Sequence, residues 1–414
     1  MRKQKIKRKI KSKLPSLVLV NNLKSDFYKY QAQTSPHPLA IEISHANGSY
    51  IYDSDKKAYL DFVAGVSANS LGHNHPLVNK AIKRQVDNYT HVMVYGEFIQ
   101  EPQVSLCKKL ASTLPKTLQS IYITNSGTEA TEGALKLAKR VTGRSEIIAA
   151  KNSYHGNTQG AMSVSGVERQ NAAFRPLIPG IKFIAFNCTF CLEQITKNTA
   201  AVILETIQGG AGFIEPFDNY LAEVKAKCNE VGALLILDEI QTGIGRTGKF
   251  WGFENYNVTP DIIITGKGLG GGMPIGAFIA SQDRMSLLKD NPKLGHISTF
   301  AGHPVIAAAA NATLDVILKD DLISESLRKE NIIRNLLQHE SILEIRGKGL
   351  MLAAIVESPE LAAKIIMKCL NKGLILFFLL FEGRAMRITP PLTISDEELI
   401  KGCQIILDAI EECI

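Results

Sequence analysis

One lysine, Lys267, stands just beyond the strand-like run Asp261-Ile-Ile-Ile-Thr, inside Thr265-Gly-Lys-Gly-Leu-Gly-Gly-Gly-Met-Pro-Ile-Gly. A lysine at the end of a buried strand costs free energy unless its charge is paired or removed. An amine that condenses with an aldehyde needs such a desolvated seat, and glycines let the backbone approach a ligand closely. The bland alternative, a surface lysine on a flexible glycine loop, sits poorly with a strand that runs directly into it. Two nucleotide-binding readings also fail. A dinucleotide fingerprint opens a helix, whereas Met273-Pro274 follows here. Gly243-Ile-Gly-Arg-Thr-Gly-Lys249 has phosphate-loop spacing, but Phe250 occupies the place where that loop needs serine or threonine for magnesium.

A second element, Leu234-Leu-Ile-Leu-Asp-Glu-Ile-Gln, is an apolar strand ending in two acids. Open α/β sheets place ligand chemistry at the C-terminal edge of such strands. Asp238 could keep a heterocyclic nitrogen protonated, could ligate a metal, or could serve packing alone. No histidine lies within several residues to complete a metal set, so no metal is expected. A third element, Ile121-Tyr-Ile-Thr-Asn-Ser-Gly-Thr-Glu-Ala, reads as strand, tight turn and helix start. The free N–H groups of that start suit a phosphate, although simple capping by Ser126 or Thr128 would look the same. A buried amine, a ring-nitrogen acid and a phosphate seat are together the three contacts that pyridoxal phosphate (PLP) needs.

These residues require a scaffold of short apolar strands. From about residue 100, β-branched runs beginning at Ile121, Glu146, Ala201, Leu234 and Asp261 alternate with helical stretches such as Thr128–Val141, where Ala130, Ala134 and Ala138 recur at i+4. That pattern predicts a mostly parallel sheet covered on both faces, an α/β fold. Tyr50-Ile-Tyr and Ala58-Tyr-Leu-Asp-Phe read as a small hairpin. Beyond residue 310, longer helices surround strand-like patches at Gly349–Val356 and Leu374–Phe378, as in a smaller α+β domain. The expected division is a basic tail at 1–20, an N-terminal segment of the small domain at 21–70, a large cofactor-binding domain at 71–309, and a C-terminal small domain at 310–414.

The 414 residues are 45 % hydrophobic and 21 % charged, the balance of a soluble globular protein. The longest apolar stretch, Gly373–Phe381, is far short of the roughly 20 residues that span a bilayer and reads as a buried strand or core edge. Eight lysines and arginines fall in residues 1–13, so removing them from the net +7 leaves −1. The basicity belongs to the tail, and no nucleic acid is expected on the folded body. Seven scattered cysteines point to a reducing compartment, the cytoplasm. Cys188-Thr-Phe-Cys191 has no second pair to form a zinc ribbon and reads as coincidence.

The motifs resemble the class III aminotransferases of PLP fold type I, in the subgroup of acetylornithine and ornithine aminotransferases. The likeness runs from about residue 35 through Leu71-Gly-His-Asn-His-Pro, Ser126-Gly-Thr-Glu-Ala, Tyr154-His-Gly and Asp238-Glu-Ile-Gln-Thr-Gly-Ile-Gly-Arg-Thr-Gly. It continues through Lys267, Ser298-Thr-Phe-Ala-Gly-His-Pro and Arg387-Ile-Thr-Pro-Pro-Leu. The resemblance implies a large α/β/α domain and a small domain built from both chain ends. It implies that Lys267 joins PLP as a Schiff base and then moves a proton, that Asp238 pairs with the pyridine nitrogen, and that Gln241 reaches the ring hydroxyl. Tyr154 and Ile240 would sandwich the ring, and Ser126, Gly127 and Thr128 would hold the phosphate. Thr299 of a neighbouring subunit would complete that seat in a homodimer. His155 and Glu205 join the cofactor-binding set, and Arg387 would grip the α-carboxylate of glutamate or 2-oxoglutarate.

Two departures bear on the substrate. Gly210 stands where ornithine-type members carry a glutamate that covers the arginine, and Asn157 replaces an arginine that holds the acylornithine carboxylate. The expected reaction is ping-pong transfer from an ω-amine, of acetylornithine or ornithine type, to 2-oxoglutarate. The alternatives are another amine such as 4-aminobutyrate or lysine, or a PLP aminomutase. The departures predict poor turnover of ornithine and acetylornithine.

Overall fold

The computed structural model describes residues 23–414. The basic tail and the apolar run Leu14–Val20 therefore lie outside the described residues. Among the described residues, no helix is long and apolar enough to cross a membrane.

The central sheet has seven strands. From one edge to the other they are Ser120–Thr124, Gly276–Ala280, Ile262–Gly266, Leu234–Asp238, Thr199–Glu205, Glu146–Ala150 and Ile181–Ile184. The last five are parallel to one another, while Gly276–Ala280 runs antiparallel to both strands beside it. The five runs singled out in the sequence are all strands, and Ile181–Ile184 and Gly276–Ala280 were not foreseen. Residues of Leu234–Asp238 and Ile262–Gly266 are buried throughout, as the continuous apolar pattern of a two-sided sheet requires.

Helix Gly127–Thr142 packs on this sheet. Ser126 caps it by accepting from the Glu129 N–H at 3.3 Å, and Gly143 ends it at φ 68°, in the left-handed region. Ala130, Ala134 and Ala138 are fully buried. A Cβ on Gly133 would lie 2.3 Å from the Phe278 ring, so the helix sits flush on Gly276–Ala280.

Two four-stranded sheets complete the chain. One joins Ile43–Asn47, Tyr50–Asp53 and Ala58–Asp61 with Leu374–Ile375; the other joins Glu344–Lys348, Met351–Ile355, Ala385–Ile388 and Phe377–Phe378. Leu60 and Phe62 share one apolar cluster with Leu352, Ile365, Ile388 and Ile406, so both chain ends build a single core. The architecture is the expected one, a large α/β domain and a smaller α+β domain built from both chain ends. The stretch Gly373–Phe381 departs from its expected burial. Leu374, Leu376 and Leu379 are buried, but Phe377, Phe378 and Leu380 are exposed and face a cavity. Two two-residue strands, Leu374–Ile375 in one sheet and Phe377–Phe378 in the other, carry the chain between the sheets and leave these three side chains outside both cores.

Candidate active site

A cavity of about 690 Å³ opens at the C-terminal ends of the parallel strands. Its walls include Ser126, Gly127, Thr128, Tyr154, His155, Asn157, Glu205, Gly210, Asp238, Ile240, Gln241, Lys267 and Arg387, which is every expected site residue except Thr299. Thr299 is exposed and does not line the cavity of its own chain. The sequence reading missed Val66, Phe377, Phe378 and Leu380, which also face the cavity.

Lys267 has φ 39°, a strained value for a non-glycine residue, at the turn after Ile262–Gly266. Its Nζ donates to Gln241 Oε1 at 3.3 Å, and Gln241 Nε2 donates to Ser67 Oγ at 3.2 Å. Burial and the nearby Arg387 pull the amine down to about 8, against the opposing charges of Asp238 and Glu205. A large share of this amine is therefore neutral near pH 8, the form that attacks a carbonyl.

Asp238 is 5 % exposed at the end of its strand. Oδ2 lies 2.7 Å from His155 Nδ1, and Oδ1 accepts from the Ile240 N–H at 3.0 Å. The buried His155 Nε2 has no partner among the described residues. The adjoining acid Glu239 turns away from the cavity. It accepts from the hydroxyls of Thr206 and Thr242 and from the N–H groups of Gly252 and Phe253. Of the two acids read at the strand end, one serves the site and one fixes the backbone. Glu205 accepts from the N–H of Tyr154 at 3.0 Å and of Gly209 at 2.8 Å. Burial raises it to about 7, with His155 opposing and Asp238 reinforcing. Burial, then Asp238 and Glu205, also push the Tyr154 phenol above its ordinary value.

At the start of helix Gly127–Thr142, the N–H groups of Gly127 and Thr128 have no acceptor within the helix. A Cβ on Gly127 would lie 2.6 Å from Ile240 Cδ1, so glycine lets Ile240 close over this end of the cavity. Thr128 Oγ1 is held 2.8 Å from Thr158 Oγ1 and accepts from the Thr158 N–H at 3.2 Å. These groups can hold a phosphorylated, aldehyde-bearing pyridine: N–H donors and hydroxyls for the phosphate, a buried carboxylate for a protonated ring nitrogen, and a neutral amine for the aldehyde.

Arg387, on strand Ala385–Ile388, is 5 % exposed, and its Nε and Nη1 have no partner among the described residues. Burial lowers it to about 10. A buried guanidinium with open donors facing a cavity can receive a carboxylate. Away from the site, Cys188 and Cys191 are joined as a disulfide, so the reading of this pair as coincidence does not hold. The turn after Ile181–Ile184 brings the two Cα atoms to 5.3 Å, within disulfide reach. The other five cysteines are free.

The family model for "Aminotransferase class-III" matches residues 30–410. An acetylornithine aminotransferase of Caldanaerobacter subterraneus subsp. tengcongensis is 38 % identical over 384 residues, covering 90 % of this chain and 95 % of that protein. A putative LysW-aminoadipate semialdehyde/glutamate semialdehyde transaminase of Pyrococcus furiosus is 37 % identical, covering 87 % and 93 %. Among solved structures, the ornithine aminotransferase of Toxoplasma gondii ME49 superposes with TM-score 0.87 at 32 % identity, covering 94 % and 95 % of the two chains. A PLP-bound amine transaminase from an uncultivated Pseudomonas species superposes with TM-score 0.85 at 25 % identity, covering 92 % and 99 %. With that match spanning both small-domain segments and the whole cavity, the chain belongs to the class III aminotransferases, enzymes whose cofactor is pyridoxal 5′-phosphate.

Proposed function

We propose that this transaminase moves an amino group from an amine donor to a 2-oxo acid in two separate half-reactions at the Lys267 cavity. The observation that carries the reading is the convergence of Lys267, Asp238 and Arg387 on one cavity. Bound there, PLP supplies an aldehyde and an electron-withdrawing ring that stabilises negative charge on the carbon beside the nitrogen.

In this reading the Lys267 amine anchors the cofactor and then carries a proton on Nζ to and from the substrate carbon. Asp238, oriented by His155 and the Ile240 N–H, holds the ring nitrogen. Tyr154 and Ile240 take the two ring faces, with Gln241 at the ring hydroxyl. Ser126, Gly127 and Thr128 take the phosphate, and Glu205 secures the Tyr154 backbone. Arg387 takes the α-carboxylate of the oxo acid. 2-Oxoglutarate would engage Arg387 with one carboxylate and leave the other without a second free cation among the described lining residues. The names of the relatives support an ω-amine of acetylornithine type as donor, while Gly210 and Asn157 stand at the two places that argue for a different one.

A homodimer is part of the proposal. Ile297 and Phe300 beside Thr299, with Phe98 and Ile99, form exposed apolar surface, and Ile99 is 95 % exposed. A second copy covering them would carry its Thr299 to the phosphate seat. The proposed setting is cytoplasmic, in keeping with the five free cysteines.

Single-turnover product analysis tests the reading. Loaded with PLP and given an amine but no oxo acid, the protein should release one equivalent of oxo product per site. Oxo acid added afterwards should restore the starting visible spectrum. An isomer formed with no oxo acid would instead identify a mutase, and absence of any spectral change across a broad amine panel would overturn the proposal.

The amine's lowered proton affinity gives a further expected outcome. Attachment of PLP to cofactor-free protein should accelerate as pH rises, and level off above about 8. Stopped-flow absorbance reads this directly. A rate that keeps climbing to pH about 10 would mean an ordinary, solvated lysine.

A further inference from the structure

We infer that the oxo acid taken by this site carries a single carboxylate and an uncharged, apolar side chain, an inference that rests on the amino-transfer reading above. The charges lining the cavity decide it. Among the described residues these are Glu205, Asp238, Lys267 and Arg387. Asp238 and Lys267 are committed to the cofactor, and Glu205 is an acid bonded to two backbone N–H groups. Arg387 is thus the one cation that the described residues of this chain leave for substrate, and its open Nε and Nη1 suit one carboxylate.

The surroundings of that guanidinium are apolar. Phe377 is the direct cross-strand partner of Arg387, so both side chains project from the same face of the sheet. The Phe377 and Phe378 rings stack at 4.3 Å, and Leu380 and Val66 extend the wall. All four keep between 36 % and 47 % of their surface exposed, open to a ligand. At Gly210 the wall is closed. Its carbonyl accepts from the Phe381 N–H at 2.9 Å, and a Cβ there would lie 2.8 Å from the Phe381 ring. Asn157, the exposed polar residue of the cavity mouth, is neutral. A second carboxylate would lose water against phenyl rings with no cation to meet it, whereas an aliphatic side chain would bury apolar surface there.

The test uses protein loaded with pyridoxamine phosphate, which makes a donor unnecessary. Its kcat/KM for 4-methyl-2-oxopentanoate should exceed that for 2-oxoglutarate by at least about tenfold, the effect of one unpaired carboxylate. Calorimetry with the unreactive analogues should give the same order, 4-methylpentanoate binding more tightly than glutarate. Asn157→Arg adds a cation at the mouth and should raise kcat/KM for 2-oxoglutarate at least about tenfold. Equal or better use of 2-oxoglutarate by the unaltered protein, or tighter binding of glutarate, would overturn the inference. If neither oxo acid is aminated while the analogues bind in the expected order, the amino-transfer reading fails and the site's preference for one carboxylate stands.

Discussion

Replacing Lys267 by alanine is expected to lower kcat by about four orders of magnitude or more, because two functions are lost together. Moving a proton on and off the substrate carbon accounts for about 10²–10⁴. No other amine lines the cavity among the described residues, so nothing takes over. The loss should be specific to chemistry. Folded Lys267 titrates near about 8, below the ordinary lysine value, so at neutral pH the cofactor-free fold holds a charge that the unfolded chain solvates better. That destabilising effect fades as pH rises above about 8, and alanine removes it at every pH. Cofactor-free Lys267→Ala should therefore melt at or above the temperature of the unaltered protein near pH 7. Its KM for the oxo acid, set by Arg387, should change little. Added methylamine should restore part of the rate by acting as the missing base, which a variant with a collapsed site would not show. A Lys267→Ala protein that retains a tenth of wild-type kcat would remove Lys267 from the mechanism.

The parts of this site that the sequence exposed are those whose chemistry is local. Lys267 and Asp238 each end a run so apolar that a charge beside it needs a reason, and Ser126-Gly127-Thr128 sits at a strand-to-helix turn. Four of the five legible strands belong to the parallel part of the sheet, whose covered faces leave no alternation to confuse them. The strand Gly276–Ala280 escaped notice because two of its five residues are alanine and one is glycine, a weak strand composition. Its one large aromatic, Phe278, seats against Gly133, a fit visible only once helix and sheet are packed. The substrate wall was illegible for a different reason. Phe377, Phe378 and Leu380 lie more than a hundred residues from Asp238 and Lys267, and GLILFFLLF reads as core because nothing local says which of its residues so short a strand will leave outside. Arg387 was located by resemblance, but the aromatic ring beside it comes from strand register. The disulfide escaped for want of a sequence signal separating a bonded Cys-x-x-Cys from a chance one.

Asp238→Asn should be the second most damaging change, lowering kcat by about 10²–10⁴ with little effect on folding or on oxo-acid KM. Asparagine matches the carboxylate in shape and still offers one oxygen to the Ile240 N–H, the bond now made at 3.0 Å. Its other terminus is then an amide nitrogen, where the carboxylate oxygen now sits 2.7 Å from His155 Nδ1. The group that faces the ring becomes neutral and donating, so it favours an unprotonated ring nitrogen and weakens electron withdrawal at the reacting carbon. His155 offers no substitute. Its Nδ1 faces Asp238, and it stands behind the carboxylate as a positioning residue. Replacing a buried charge by an isosteric neutral group is often close to neutral for stability, so the melting temperature should stay within a few degrees. Arg387→Ala supplies the contrast. It removes the receptor for the carboxylate, and its first effect should be a large rise in oxo-acid KM. If Asp238→Asn instead raised KM and spared kcat, the carboxylate would be a substrate-binding group, and the proposed roles of Asp238 and Arg387 would both have to be redrawn.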